Sequence, residues 1–315
     1  MSSANVVTVL YNNVSTLAGF LSGLEAQHDF VAQVVLVDNA STDDTLEQTR
    51  ALAAASSLDI TVVANANTGF AGGYARGGTE IRNLTLPTLC LNPDVELEPG
   101  ALERMLSVLG GADRIGIVTA PLVIETGEPD TASRRVLPTL GKAAVYAVLG
   151  RLTPPALRYN RRQAPSQEAS PVLYPVGDRV TAVEATTGAL MLVNPGFRTA
   201  DKGIFDQDYW MYGEDLQLCA DARSEGWQVL MAEGAPSVHT KGVSSGRPRG
   251  KKSNIEFHRA MYTYYVKNLN KSRVGKVGVG AAILTRLGSE LAISAVMRAR
   301  QARAAAKPSA AEVSR

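Results

Sequence analysis

"TLCLNPDVELEPG" (residues 88–100) is the stretch on which the rest of the chain turns. An apolar run, Pro87 to Leu91, reads as a strand of the fully buried kind and stops at Asn92-Pro93-Asp94. A helix is predicted to start just beyond, at Pro99-Gly100-Ala101. One carboxylate, Asp94, is left where the strand meets solvent. Such an acid is either a local cap or a ligand-binding group, and its neighbours decide which.

Strand and helix patterns alternate around it over residues 1–125. "VVTVLY" (6–11), "VVLVD" (34–38) and "ITVVAN" (60–65) are short apolar runs of the parallel-sheet kind, and "IGIVTAP" (115–121) is a fifth strand after 87–92. Leu17, Phe20, Leu21 and Leu24 fall at helical spacing. A second helix is predicted after Ser41 and Thr42, which are good capping residues. The order predicts an α/β fold, a doubly wound, mostly parallel sheet with its ligand crevice beyond the carboxyl ends of the strands. Asp38 and Asp94 both end strands and are expected to face that crevice. The glycine-rich "NTGFAGGYARGG" (67–78) misses the G-x-G-x-x-G spacing and follows the third strand, so it is no dinucleotide fingerprint. It reads as a loop whose glycines admit a ligand close to the backbone.

The composition suits a globular protein with one large domain: 315 residues, 45% hydrophobic and 20% charged. A net charge of +2 gives no reason to expect nucleic acid. The two cysteines, Cys90 and Cys219, sit in apolar contexts and read as buried thiols. The first residues run straight into a strand, so no signal peptide is expected and a cytoplasmic location is.

Three features follow residue 180. "VEATTGALMLVNPGF" (183–197) reads as loop, strand and turn; Glu214-Asp215 precede a helix; His239 follows a strand, "QVLMAE". Singly, a Glu-Asp pair at a helix start is most often a partner of the macrodipole, and a lone His is most often structural.

In order, however, the segments Val37–Asp43, Asn67–Gly73, Asn92–Asp94, Thr187–Ala189, Gly213–Asp215 and His239–Gly242 closely resemble the family 2 glycosyltransferases of GT-A fold. The likeness spans roughly residues 5–270. It is strongest to actinobacterial rhamnosyltransferases acting on polyprenyl-diphosphate-linked sugars. It implies an inverting, metal-dependent transferase with Asp215 as catalytic base and Glu214, Thr187 and Gly188 on the acceptor side. Asp94 and His239 would hold Mg²⁺ or Mn²⁺. Tyr11, Asp38, Asn67, Gly69, Arg76 and Asn92 would bind the nucleotide-sugar, Asp38 through the pyrimidine ring. Asn92 stands where the family's first metal-site Asp would be, and Tyr74-Ala75 depart from the usual residues after the paired glycines.

The expected donor is dTDP-L-rhamnose and the acceptor a lipid-linked saccharide of cell-envelope synthesis. UDP-galactofuranose or another UDP-hexose is the alternative donor. A sugar-1-phosphate nucleotidyltransferase is the alternative enzyme, disfavoured because "LYNNVSTLAGF" (10–20) carries no Lys or Arg. Residues 1–125 are taken as the nucleotide-sugar half and 126–246 as the acceptor half of one domain. Residues 247–300 form a basic, helical extension, and 301–315 a disordered tail. Nine Lys or Arg between Arg247 and Lys276 face one acid, Glu256. The following apolar segment holds Arg286 and Glu290, each costing roughly 2.5–3.5 kcal/mol in a bilayer centre. An amphipathic helix with Leu284, Leu287 and Leu291 is therefore expected. It would touch the inner face of the membrane, or else pack on the domain or in a homodimer.

Overall fold

All four residues of Thr88–Leu91 are buried, which requires a sheet covered on both faces. The computed structural model describes residues 3–139, 154, 172–173, 179–240, 250–269 and 272–305. The first half runs β1 (Ala4–Leu10), α1 (Leu17–Glu25), β2 (Val31–Asp38), α2 (Thr45–Ala55), β3 (Ile60–Ala64), α3 (Gly69–Gly78) and β4 (Thr88–Leu91). Next come β5 (Val95–Glu96), α4 (Ala101–Leu109), β6 (Ile115–Thr119), β7 (Leu122–Ile124), β8 (Val172–Leu173), β9 (Arg179–Ala182) and β10 (Leu190–Val193). The chain continues through α5 (Glu214–Ser224), β11 (Gln228–Ala232), β12 (Ser237–His239), α6 (Lys251–Tyr264) and α7 (Arg273–Ala305).

Among the described residues nine strands form the main sheet, in the order β3-β2-β1-β4-β10-β6-β11-β9-β8. Strand alternation sends neighbours to opposite faces. Val6, Val34, Leu36, Leu89, Leu190 and Leu192 join α1 and α4 in one core. Val7, Val35, Val37, Cys90, Met191 and Val193 join α3 and α5 in the other. Each such side chain contributes roughly 1.5–3 kcal/mol by leaving water. The fold is α/β and mostly parallel, as expected. Two strands depart from that pattern: β9 runs antiparallel to β11 and β8, and β10 runs antiparallel between β4 and β6. Strand β10 thereby ties residues 126–246 into the sheet of the first half. A second, three-stranded sheet, β5-β12-β7, brings His239 beside Val95.

Three local expectations are corrected. The glycine-rich segment is helix α3, not a loop, and its glycines serve packing. A Cβ on Gly73 would lie 2.8 Å from Val9, on Gly77 2.6 Å from Val7, and on Gly78 1.9 Å from the Ala200 carbonyl oxygen. Glycine's helix penalty, about 1 kcal/mol per residue, is outweighed by this close seat on β1. Helix α2 starts at Thr45 rather than after Ser41-Thr42. Ser41 Oγ and the Thr42 amide instead bind Asn12, which joins the loops after β1 and β2. The tail expected to be disordered from 301 is helical to Ala305, the end of α7; residues 306–315 lie outside the described residues.

Candidate active site

The carboxyl ends of β1, β2 and β4 open on a cleft of about 840 Å³. Strain marks its rim: Asn12 and Ala40, just past β1 and β2, both adopt left-handed φ (55° and 61°). Of the residues expected to bind donor, Tyr11, Asn67, Gly69 and Asn92 line the cleft. Gly69 has φ +80°, and a Cβ there would overlap the Trp210 carbonyl oxygen. Asp38 is 2% exposed and sits behind Asn39, which lines the cleft itself. Its Oδ2 accepts from the Ser41 amide, while its Oδ1 is buried without a hydrogen bond. The structure does not bring Arg76 to the cleft. Being helical, that segment points Arg76 away, into a 2.6 Å pair with Glu80.

Asp94 and His239 meet on one wall. His239 Nε2 lies 3.4 Å from Asp94 Oδ1, too long for a well-formed hydrogen bond, so it is a charge contact. Nδ1 lies 2.8 Å from Oδ2 of Asp130, whose side chain is fully buried. Burial alone would lower the imidazole's pKa. The Asp130 hydrogen bond, with the negative charges of Asp94 and Asp130, outweighs it and lifts the value to about 9. Asn92 Oδ1 and Asp94 Oδ1 are both buried without hydrogen bonds. Two orphaned oxygens beside an imidazole nitrogen fit a divalent cation such as Mg²⁺ or Mn²⁺. Among the described residues no cluster of three His, Cys, Asp or Glu could hold an ion. Donor phosphate oxygens and water would have to complete its shell.

Glu214 and Asp215 stand on the other wall, at the first turn of α5. Tyr212 and Gly213, both with left-handed φ (71° and 84°), turn the chain into that helix. Asp215 Oδ2 receives Arg135 Nη2 at 2.5 Å and the Gly188 amide at 3.2 Å, and Oδ1 receives the Leu216 amide at 2.7 Å. Gly188 and Thr187 line the cleft here. Burial, and then the charge of Asp215, pushes Glu214 up to about 8; its Oε2 has no hydrogen bond. Burial beside Asp215 thus favours the protonated form of Glu214, while Asp215 is fixed by three N–H donors.

Sequence reading missed Asp130 and Arg135, which support the two walls, and Trp210, whose ring carries Lys252 Nζ 3.8 Å away at the cleft. The only local signal for the first two was the polar "PDTASRR" (129–135) after a short apolar strand. Lys241 and Gly242 lie outside the described residues.

Comparison with known proteins gives this geometry its context. The chain is 28% identical over 261 residues to the N-acetylglucosaminyl-diphospho-decaprenol L-rhamnosyltransferase of Mycobacterium tuberculosis, covering 77% of each protein. In fold it is similar to the mannosyltransferase PcManGT of Pyrobaculum calidifontis, solved with GDP-Man and Mn²⁺ (TM-score 0.53, 15% identity, 98% of this chain and 77% of that one). Residues 1–349 of S. aureus TarS are similar too (TM-score 0.51, 14% identity, 91% and 72%). These are GT-A architectures. The Glycosyl transferase family 2 profile matches residues 5–163, half of the chain. With two carboxylates at a helix start facing an Asn-Pro-Asp strand end across one cleft, the chain is a glycosyltransferase and belongs to family 2.

Proposed function

We propose that this enzyme transfers L-rhamnose from dTDP-L-rhamnose to a lipid-linked saccharide with inversion, assisted by a divalent cation. The observation that carries the reading is the cleft itself. Asn92, Asp94 and His239 open on one wall and Glu214 and Asp215 on the other, at the carboxyl ends of the strands. The mycobacterial relative's name supports the sugar and the acceptor class.

Asp215 takes the proton of the acceptor hydroxyl as that oxygen attacks the anomeric carbon, opposite the departing diphosphate. A single displacement needs one carboxylate near the forming bond, unlike the paired acids of glycosidases. Glu214, protonated at neutral pH, donates a hydrogen bond to the acceptor or the sugar. Asp38 Oδ1 accepts from the pyrimidine ring N–H. A cation held by Asp94 and His239, with Asn92, would neutralise charge on the leaving diphosphate.

Helix α7 supports work at a membrane face. Residues Arg273–Ala295 are long and apolar enough to cross a bilayer by length and composition. Val274, Val277, Leu284 and Ile293 are 59–83% exposed, while Arg286 pairs with Glu290 at 3.1 Å. Peripheral contact through the side of the helix that carries Val274, Val277 and Leu284, with the neighbouring cations, is our reading, with a homodimer as its competitor. Of the basic run, Lys267 is already neutralised by Asp206 and Asp208. Arg247, Arg249 and Lys271 lie outside the described residues.

The deciding experiment offers the purified protein a panel of dTDP- and UDP-sugars with a GlcNAc-diphosphoryl-polyprenol acceptor, followed by mass spectrometry of the lipid. Addition of one deoxyhexose only from dTDP-L-rhamnose is expected. Transfer from a UDP-hexose instead would replace the donor assignment.

A further inference from the structure

We infer that residues 130–135 form one positioning device with two ends: Asp130 sets His239 and Arg135 sets Asp215. The inference rests on the reading of Asp215 as base and His239 as metal ligand.

The short segment between β7 and the loop before β10 is itself tightly held. The Asp130 amide donates to the Leu122 carbonyl, and the Ser133 amide and hydroxyl both donate to the Asp130 carbonyl. Asp130 Oδ1 accepts from the Ala132 amide at 2.8 Å, which leaves Oδ2 aimed at His239 Nδ1. A carboxylate there can only accept, so Nδ1 carries the proton and Nε2 faces Asp94. A carboxylate behind a metal-binding imidazole fixes its tautomer and ring orientation.

At the other end, Arg135 pairs its own amide and carbonyl with those of Ala185. The backbone is thereby locked to the strand-like run that leads into Thr187-Gly188. Its buried guanidinium bridges the Thr186 carbonyl and Asp215 Oδ2. With the Gly188 amide on the same oxygen, both lone pairs of Oδ2 are engaged. Oδ1, which receives only the Leu216 amide, keeps one lone pair. The acceptor proton therefore goes to Oδ1, and Arg135 is what leaves that atom as the single choice. Both residues are positioning residues, since each acts through another side chain. Because they share a segment of six residues, the distance between the metal end and the base end is set by one stretch of backbone.

The test uses the full chain and four substitutions: Arg135→Gln, Arg135→Lys, Asp215→Asn and Asp130→Asn. Arg135→Gln is expected to lower kcat about 10–100-fold with donor KM within about threefold, and Arg135→Lys to recover part of it, as for a group acting in the transition state. Combined with Asp215→Asn, Arg135→Gln should add no further loss, because its effect runs through that carboxylate. With dTDP present in every sample, Asp130→Asn should weaken Mn²⁺ binding, read from the free-ion EPR signal, by about 10–100-fold. Should Arg135→Gln fail to fold, Arg135→Lys gives the same split. It keeps the charge on a shorter side chain whose ammonium must reach both acceptors that Arg135 Nη2 now serves. Multiplying effects in the double variant, a raised donor KM at unchanged kcat, or wild-type Mn²⁺ affinity in Asp130→Asn would overturn the proposal. If the unsubstituted chain binds no Mn²⁺, or transfers no sugar, it is the underlying functional reading that fails.

Discussion

The two walls of the cleft are built on opposite principles. On the Asn92–Asp94 wall, two buried oxygens have no hydrogen bond among the described residues. On the Asp215 wall, one carboxylate has three N–H donors. An unmet buried polar atom costs about 1–3 kcal/mol, so it persists where a ligand completes it. A base used at every turnover must instead hold one orientation before substrate arrives. The first wall is unfinished and the second is preorganised. Glu214 is the intermediate case, buried beside Asp215 with one oxygen unmet.

The sharpest way to break this contrast is to remove the cation. Excess EDTA is expected to reduce transfer below detection, with Mn²⁺ or Mg²⁺ restoring it, and Asp94→Ala should behave as the chelated enzyme does. Full activity in chelator would show that the orphaned oxygens await something else.

Next in size is the base. Asp215→Asn should keep nucleotide binding and lower kcat on the order of 10²-fold or more, since it removes only proton acceptance. Normal turnover by Asp215→Asn, with Glu214→Gln inactive, would exchange the two roles.

A smaller effect concerns stability. Burial pushes Glu214 up to about 8 in the folded chain, from an ordinary value of 4.5. Between those values the folded state binds the extra proton, so stability falls as pH rises through the window. Glu214→Gln should therefore raise Tm by a few degrees at pH 8, with the gain shrinking towards pH 4.5. A gain independent of pH would mean that Glu214 does not titrate there.

Smallest is the membrane contact. Each cation near an anionic leaflet is worth about 1 kcal/mol, and the exposed face of α7 adds apolar area. Flotation with anionic vesicles, released by high salt and weakened by Val277→Glu with Leu284→Glu, is expected. A protein that stays off vesicles at low salt while sedimenting as a dimer would hand that face to a second copy.

Much of this site could be read from residue order, because its parts on the first wall are local. Asp38 and Asp94 end apolar runs whose period already betrays a covered sheet, and a strand end is a place in space as well as in sequence. Glu214-Asp215 likewise announce themselves at a helix start. Arg76 misled because the glycines around it look like a loop. Their reason, contact with Val7, Val9 and the Ala200 carbonyl, involves elements near and far in the chain.

By itself, then, the sequence determined the alternating strands and helices, the buried character of the sheet and the acids at its edge. Each follows from short-range periodicity and from the cost of burying charge. Only the tertiary structure decided that β10 enters antiparallel between β4 and β6, that His239 comes to Asp94, and that Asp130 and Arg135 stand behind the two walls. Those contacts join residues 74 to 145 positions apart, and the energy that selects them lies in packing and paired hydrogen bonds that no local pattern encodes.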